Sequence, residues 1–209
     1  MTNLDWYFDF VSPFSYLQRE QFQRLPAGVQ VNYVPVLFGA LLGHWGQKGP
    51  AEIASKRPFT YRHTLWLARR HGIPMRFPPA HPFNPLKALR LAIALDCDPA
   101  AIRAIFRFIW RDGRAIDSAQ DWADLSAAVG LADADAWIAA PQVKDALRGN
   151  TEAAIARGVF GVPTFAADDQ LFWGFDATDM LLDYLRDPAA FRDPEMLRIA
   201  ELPVGIRRQ

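Results

Sequence analysis

The sequence carries a single cysteine, Cys97, among 209 residues. One thiol excludes an intrachain disulfide, a Cys-x-x-Cys redox pair and a cysteine-rich zinc site. Cys97 also sits between Asp96 and Asp98, with no cation to activate it, so a redox role is not expected. An excess of charge is missing too: 23 Lys and Arg stand against 23 Asp and Glu. Such a balance offers no long-range field to nucleic acid or to an anionic membrane, and neither is expected as a partner. No run of about 18 apolar residues occurs, so no membrane-spanning helix is expected. Met-Thr-Asn-Leu-Asp at the start has neither the basic nor the apolar part of a secretory signal, and the expectation is a cytoplasmic protein. Four histidines, at 44, 63, 71 and 81, have no metal-ligand spacing, so no metal is expected.

What is present is apolar material, 51% of the chain, enough for one large domain or a domain with a sizeable insertion. Residues 4–11 are rich in aromatics and read as a buried strand. Ser12-Pro13 then opens a helix, because Ser is a favoured N-cap and Pro fits the first helical position. Residues 29–37 alternate as a second strand, completing a βαβ unit with a parallel pair. From about residue 40 to 140 the periodicity is helical. Ile102, Ile105, Phe106, Ile109 and Trp110 at i, i+3, i+4, i+7 and i+8 are the clearest case. A helix from Pro141, two short strands turning at Asp168-Asp169 and a helix over 178–185 follow, with Asp176 as its candidate cap. The reading is α/β: a domain made of 1–38 and 141–209, interrupted by an all-helical insertion over 39–140.

Three places could carry chemistry. Ser12 lies where a strand gives way to a helix, among unpaired N–H groups and the positive end of the helix dipole. An anion such as a thiolate is stabilised there; a plain helix cap is the competing reading, and both are open. Val162-Pro163-Thr164 begins a strand. A trans bond is the default; a cis bond, found at about 5–6% of X-Pro bonds, would present the Val162 backbone to an extended peptide-like ligand. Trp173-Gly174-Phe175-Asp176 opens the last helix and could receive a ligand carboxylate, with Asp176 toward a ligand ammonium; again an ordinary cap is the alternative.

Taken in order, YFDFVSPFSYL, PVLFGALLGHWG, AEIASKR, HPFNPLKALRLA, GVFGVPTF and FWGFD resemble the 2-hydroxychromene-2-carboxylate isomerases and their kappa-class glutathione transferase relatives, in the thioredoxin superfamily. The resemblance runs over about residues 4–185. It implies a thioredoxin-like fold, a bound glutathione cofactor, a small aromatic substrate and a homodimer. By matched motif, Ser12 faces the glutathione sulfur, and Val162 beside Pro163 holds the tripeptide backbone. Trp173, Gly174, Phe175 and Asp176 receive its γ-glutamyl end. For substrate the candidates are His44, Trp45, Lys56, His81 and Asn84, Lys56 being the one for a substrate carboxylate. The implied reaction interconverts 2-hydroxychromene-2-carboxylate and trans-o-hydroxybenzylidenepyruvate, a step of aromatic hydrocarbon catabolism. One departure stands out: Gly43 occupies the position where the family has a lysine. It opens a second reading, a kappa-like transferase or thiol-dependent isomerase with another substrate; a thioredoxin-fold binding protein without catalysis, its redox cysteines lost, is a third.

Overall fold

The computed structural model describes residues 2–206. Strand β1 (Thr2–Phe8) is central, its Leu4, Trp6 and Phe8 fully buried as strand alternation requires. Helix α1 (Pro13–Arg19) follows, and β2 (Val29–Pro35) returns parallel to β1, in register from Thr2 opposite Val29 to Phe8 opposite Pro35. Late in the chain β3 (Thr164–Ala167) joins the other side of β1 antiparallel, Tyr7 opposite Thr164. Strand β4 (Gln170–Trp173) closes the sheet as a hairpin with β3, in the order β2-β1-β3-β4. Asp168 makes that turn with φ 51°, a conformation Asp adopts more readily than most residues.

Between β2 and the last strands the chain is helical: α2 (Phe38–His44), α3 (Lys56–Arg70), α4 (Leu86–Ala94), α5 (Pro99–Trp110), α6 (Ala119–Ala128), α7 (Ala134–Ala139) and α8 (Pro141–Ala156). Helices α9 (Thr178–Arg186) and α10 (Pro194–Ala200) end the described fold. Local rules place several boundaries. Asp98 accepts from the N–H groups of Ala100 and Ala101 to start α5, and Ser118 accepts from Asp121 to start α6. Helix α2 falls within the stretch read as helical, although Gly39 and Gly43 weaken its intrinsic helix preference. Strand β1 is shorter than the expected 4–11: after Phe8 the chain turns, and the Ser12 N–H donates to the Asp9 carbonyl at 3.1 Å. Phe10 stays fully buried although it has left the strand.

One cluster of buried side chains runs through both the sheet and the helical stretch. Phe10 and Phe106 of α5 lie 4.5 Å apart by ring centroids, and Trp6 stacks on Phe8 at 4.6 Å. Some polar groups within this core are paired, although the buried Ser15 hydroxyl has no partner among the described residues. The Trp110 indole donates to the Phe10 carbonyl at 2.8 Å, and the Tyr16 hydroxyl to the Pro74 carbonyl at 2.6 Å. Glu20, at the end of α1, accepts from both Arg103 and Arg107 of α5. Burial pushes its carboxyl up, but the two guanidiniums outweigh that and hold it below the usual carboxylate range. The β1–α1 junction is thereby fixed against the helical stretch, and the site forms at that junction.

Candidate functional site

A cleft of about 830 Å³ opens at the end of β1 where α1 begins. The sheet register explains why distant segments meet there. With Tyr7 opposite Thr164, the chain before β3 runs back past the end of β1, setting Val162 beside the Asp9–Ser12 turn. Ser12, Val162, Pro163 and Trp173 to Asp176 all line the cleft, 150 residues and more apart in sequence. The Val162-Pro163 bond is cis, not the default trans, as is His81-Pro82.

Ser12 is both cap and cleft residue, and the two readings of the sequence prove compatible. Its Oγ accepts from the Ser15 N–H at 3.2 Å, the N-cap bond. Its own hydrogen points to the Val162 carbonyl at 3.5 Å, a long and weak contact. The acceptor side of the hydroxyl is therefore committed to the helix, and the donor side is poorly used. An anion in the cleft would receive that donation. Ser15, at the second position of the would-be redox pair, is fully buried and does not line the cleft.

Val162 is buried, and no acceptor for its backbone N–H is found among the described residues. A buried unpaired donor at the edge of a cleft suits a ligand with a peptide carbonyl. Across from it the Gly174 N–H donates to the Pro163 carbonyl at 2.8 Å, and Gln18 of α1 donates to the Gly174 carbonyl at 2.9 Å. Gly174 has φ 99°, and a side chain there would meet the Asp176 carboxylate at 2.5 Å. Asp176 is not the cap of α9: that position is Ala177, without a side-chain bond. The Asp176 carboxylate thus lines the cleft without a hydrogen-bond partner among the described residues.

Asp9, which sequence reasoning did not single out, lines the same cleft and is fully buried. Its Oδ1 accepts from the Val11 N–H at 3.0 Å and its Oδ2 from the Phe38 N–H at 2.9 Å. Burial raises its pKa to about 7, against the opposite pull of those two bonds. His81 completes the clamp on this turn. Its Nε2 lies 2.8 Å from the Val11 carbonyl and its Nδ1 2.8 Å from the Tyr61 hydroxyl. A carbonyl can only accept, so Nε2 carries the hydrogen. Burial among Tyr61, Phe77 and Trp110 holds the His81 pKa below the ordinary histidine value.

A DSBA-like thioredoxin domain matches residues 3–186. The chain belongs to that family, in its 2-hydroxychromene-2-carboxylate isomerase and kappa-class glutathione transferase group. A 2-hydroxychromene-2-carboxylate isomerase of Sphingobium xenophagum is 31% identical over 192 residues, covering 88% of this chain and 98% of its own. One from Pseudomonas putida is 29% identical, covering 85% and 91%. Glutathione S-transferase kappa 1 of Caenorhabditis elegans is 24% identical, covering 92% and 95%. A solved 2-hydroxychromene-2-carboxylate isomerase shares the fold with a TM-score of 0.77 at 24% identity, over 93% of this chain and 98% of its own.

Within this DSBA-like fold the remaining sequence candidates divide. His81 lines the cleft, whereas His44, Trp45, Lys56 and Asn84 do not. Trp45 turns its indole to the Val159 carbonyl at 2.9 Å, with His44 against its ring. The Asn84 side chain accepts from the Leu86 N–H at the start of α4. Lys56 is exposed at the first turn of α3. In their place α2 contributes Phe38, Leu42 and Gly43, and α3 contributes Thr60, His63 and Leu67 on one face. Only the spacing of 60, 63 and 67 signalled that face, and it did not say what the face would meet. Cys97 lies elsewhere, its thiol pushed up to about 11 by burial and by Asp96. No helix among the described residues is long and apolar enough to cross a membrane.

Proposed function

We propose that this protein is a glutathione-dependent isomerase that interconverts 2-hydroxychromene-2-carboxylate and trans-o-hydroxybenzylidenepyruvate. The observation that carries the reading is the Ser12 hydroxyl at the cleft wall, with its acceptor side used by the helix and its donor side spent only on a long contact to the Val162 carbonyl. Ser12 would donate to the cofactor sulfur and favour its anionic form, as a hydrogen bond to the charged state does. The unpaired Val162 N–H would take the tripeptide backbone, and Asp176 its ammonium. When bound, glutathione supplies a nucleophilic sulfur whose reversible addition to the unsaturated carbon of the opened chromene permits rotation about that bond. The chain's own part is to hold that sulfur beside Ser12, keep water away with Phe14, Phe38 and Leu42, and present the substrate. Membership of the isomerase group supports the substrate, and extends the proposal to a cytoplasmic homodimer acting on a small aromatic molecule.

One observation favours a second reading. Gly43 lines the cleft with open space where a side chain would stand, so the lysine of the family pattern has no counterpart at that point. A kappa-like transferase acting on another electrophile fits that feature. Calorimetric titration with glutathione, followed by turnover assays with 2-hydroxychromene-2-carboxylate and a chlorodinitrobenzene, separates the readings. Stoichiometric glutathione binding with chromene turnover is the expected result. Binding with turnover of the generic electrophile alone selects the transferase. No binding at all would leave a thioredoxin-fold protein without catalysis.

A further inference from the structure

The charge of the cleft is one-sided. Asp9, Glu52 and Asp176 line it, and no Lys or Arg is among its described lining residues. A carboxylated substrate entering beside a thiolate therefore needs a positive partner that the acidic lining does not supply. Two lining residues can carry positive charge, His63 and His81. His81 is already spent: both ring nitrogens are engaged, by Val11 and Tyr61, and burial disfavours its charged form. His63 has ring contacts but no hydrogen bond among the described residues. It stands on the cleft face of α3, stacked between Phe59 at 5.7 Å and Trp66 at 6.1 Å, with Phe14 of α1 at 6.2 Å. These aromatic neighbours fix the ring without using its nitrogens, and Phe14 lies two residues after Ser12.

We propose that His63 is the specificity-determining residue that receives the substrate carboxylate in this cleft, with Phe14 beside it as the surface for the aromatic ring. The proposal rests on the isomerase reading and names the group that reading lacks. Lys56, the sequence candidate for this role, begins the same helix but lies outside the cleft lining.

The test uses equilibrium binding of an unsaturated aromatic acid, trans-cinnamate, and its amide to the glutathione-loaded protein. Wild type should prefer the acid. His63→Gln should weaken cinnamate binding by about tenfold, because the glutamine amide can still donate a hydrogen bond but cannot supply the positive charge that makes a charge-assisted bond the stronger, and leave the amide ligand unchanged. His63→Lys should restore the acid, and so should Gly43→Lys placed in the His63→Gln background, since open space adjoins Gly43. With the chromene substrate the same loss should appear in KM and not in kcat. Equal weakening of acid and amide, unchanged cinnamate binding in His63→Gln, or a wild type that does not prefer the acid would overturn the proposal. Glutathione titration of each variant keeps the outcomes apart: lost glutathione binding in wild type contradicts the isomerase reading, whereas normal glutathione binding with an indifferent His63 contradicts only this one.

Discussion

Ser12→Ala should lower the proposed glutathione-dependent turnover about 10- to 100-fold, because a hydrogen bond to a charged acceptor contributes about 1.5–3 kcal/mol. Glutathione affinity should fall far less, since on the proposed reading the tripeptide would be held mainly by the Val162 backbone and the segment from Trp173 to Asp176, which line the cleft. The substitution also removes the N-cap of α1, which costs about 1 kcal/mol of stability and is a separate effect. Ser12→Gly isolates it, because Gly at an N-cap costs only a few tenths of a kcal/mol. Both variants should lose the same turnover, while thermal unfolding shows Ser12→Ala to be the less stable. Full activity in either variant would mean that the hydroxyl does not act on the reacting sulfur.

The contribution of Asp9 to wild-type stability should fall by about 4 kcal/mol as pH rises from about 4 to about 7. The sign follows from its raised pKa. The unfolded carboxyl ionises near its ordinary value of 3.8, the folded one at about 7. Between those limits the folded state binds the proton more tightly, so the contribution is complete below the lower value and gone above the higher. His81 works in the opposite sense, its pKa being lowered by burial, and it favours the folded state less as pH falls. Asp9→Asn keeps an acceptor oxygen for the Val11 or Phe38 N–H and removes the titration, while His81 remains in both proteins. Urea unfolding across this range should therefore show the wild type losing stability relative to Asp9→Asn as pH rises. Parallel curves would mean that burial does not raise the Asp9 pKa.

Features set by a few adjacent residues were legible before the structure. The cap at Ser12 obeys a rule that spans three residues, and the turn at Asp168-Asp169 needs only a residue that tolerates positive φ. Features set by distant neighbours were not. Trp45 was a natural substrate contact until its indole proved bonded to the Val159 carbonyl, and Asn84 is used by the local turn into α4. Asp9 reads in sequence as a strand residue; its burial follows from α2 arriving over it, a placement no local rule expresses. His63 reads as an ordinary helix-face histidine. Its place in the cleft depends on how α3 lies against α1, which periodicity along α3 cannot express.

The proposed chemistry requires one thing of this chain, that it hold a thiol as its anion beside Ser12. Ultraviolet difference absorbance of the thiolate, recorded while glutathione is added to the wild-type protein at neutral pH, measures that directly. The account predicts thiolate absorbance that rises with bound glutathione, saturates with it, and is largely lost in Ser12→Ala. Glutathione that binds and stays protonated, or thiolate absorbance that is the same without the Ser12 hydroxyl, would contradict it.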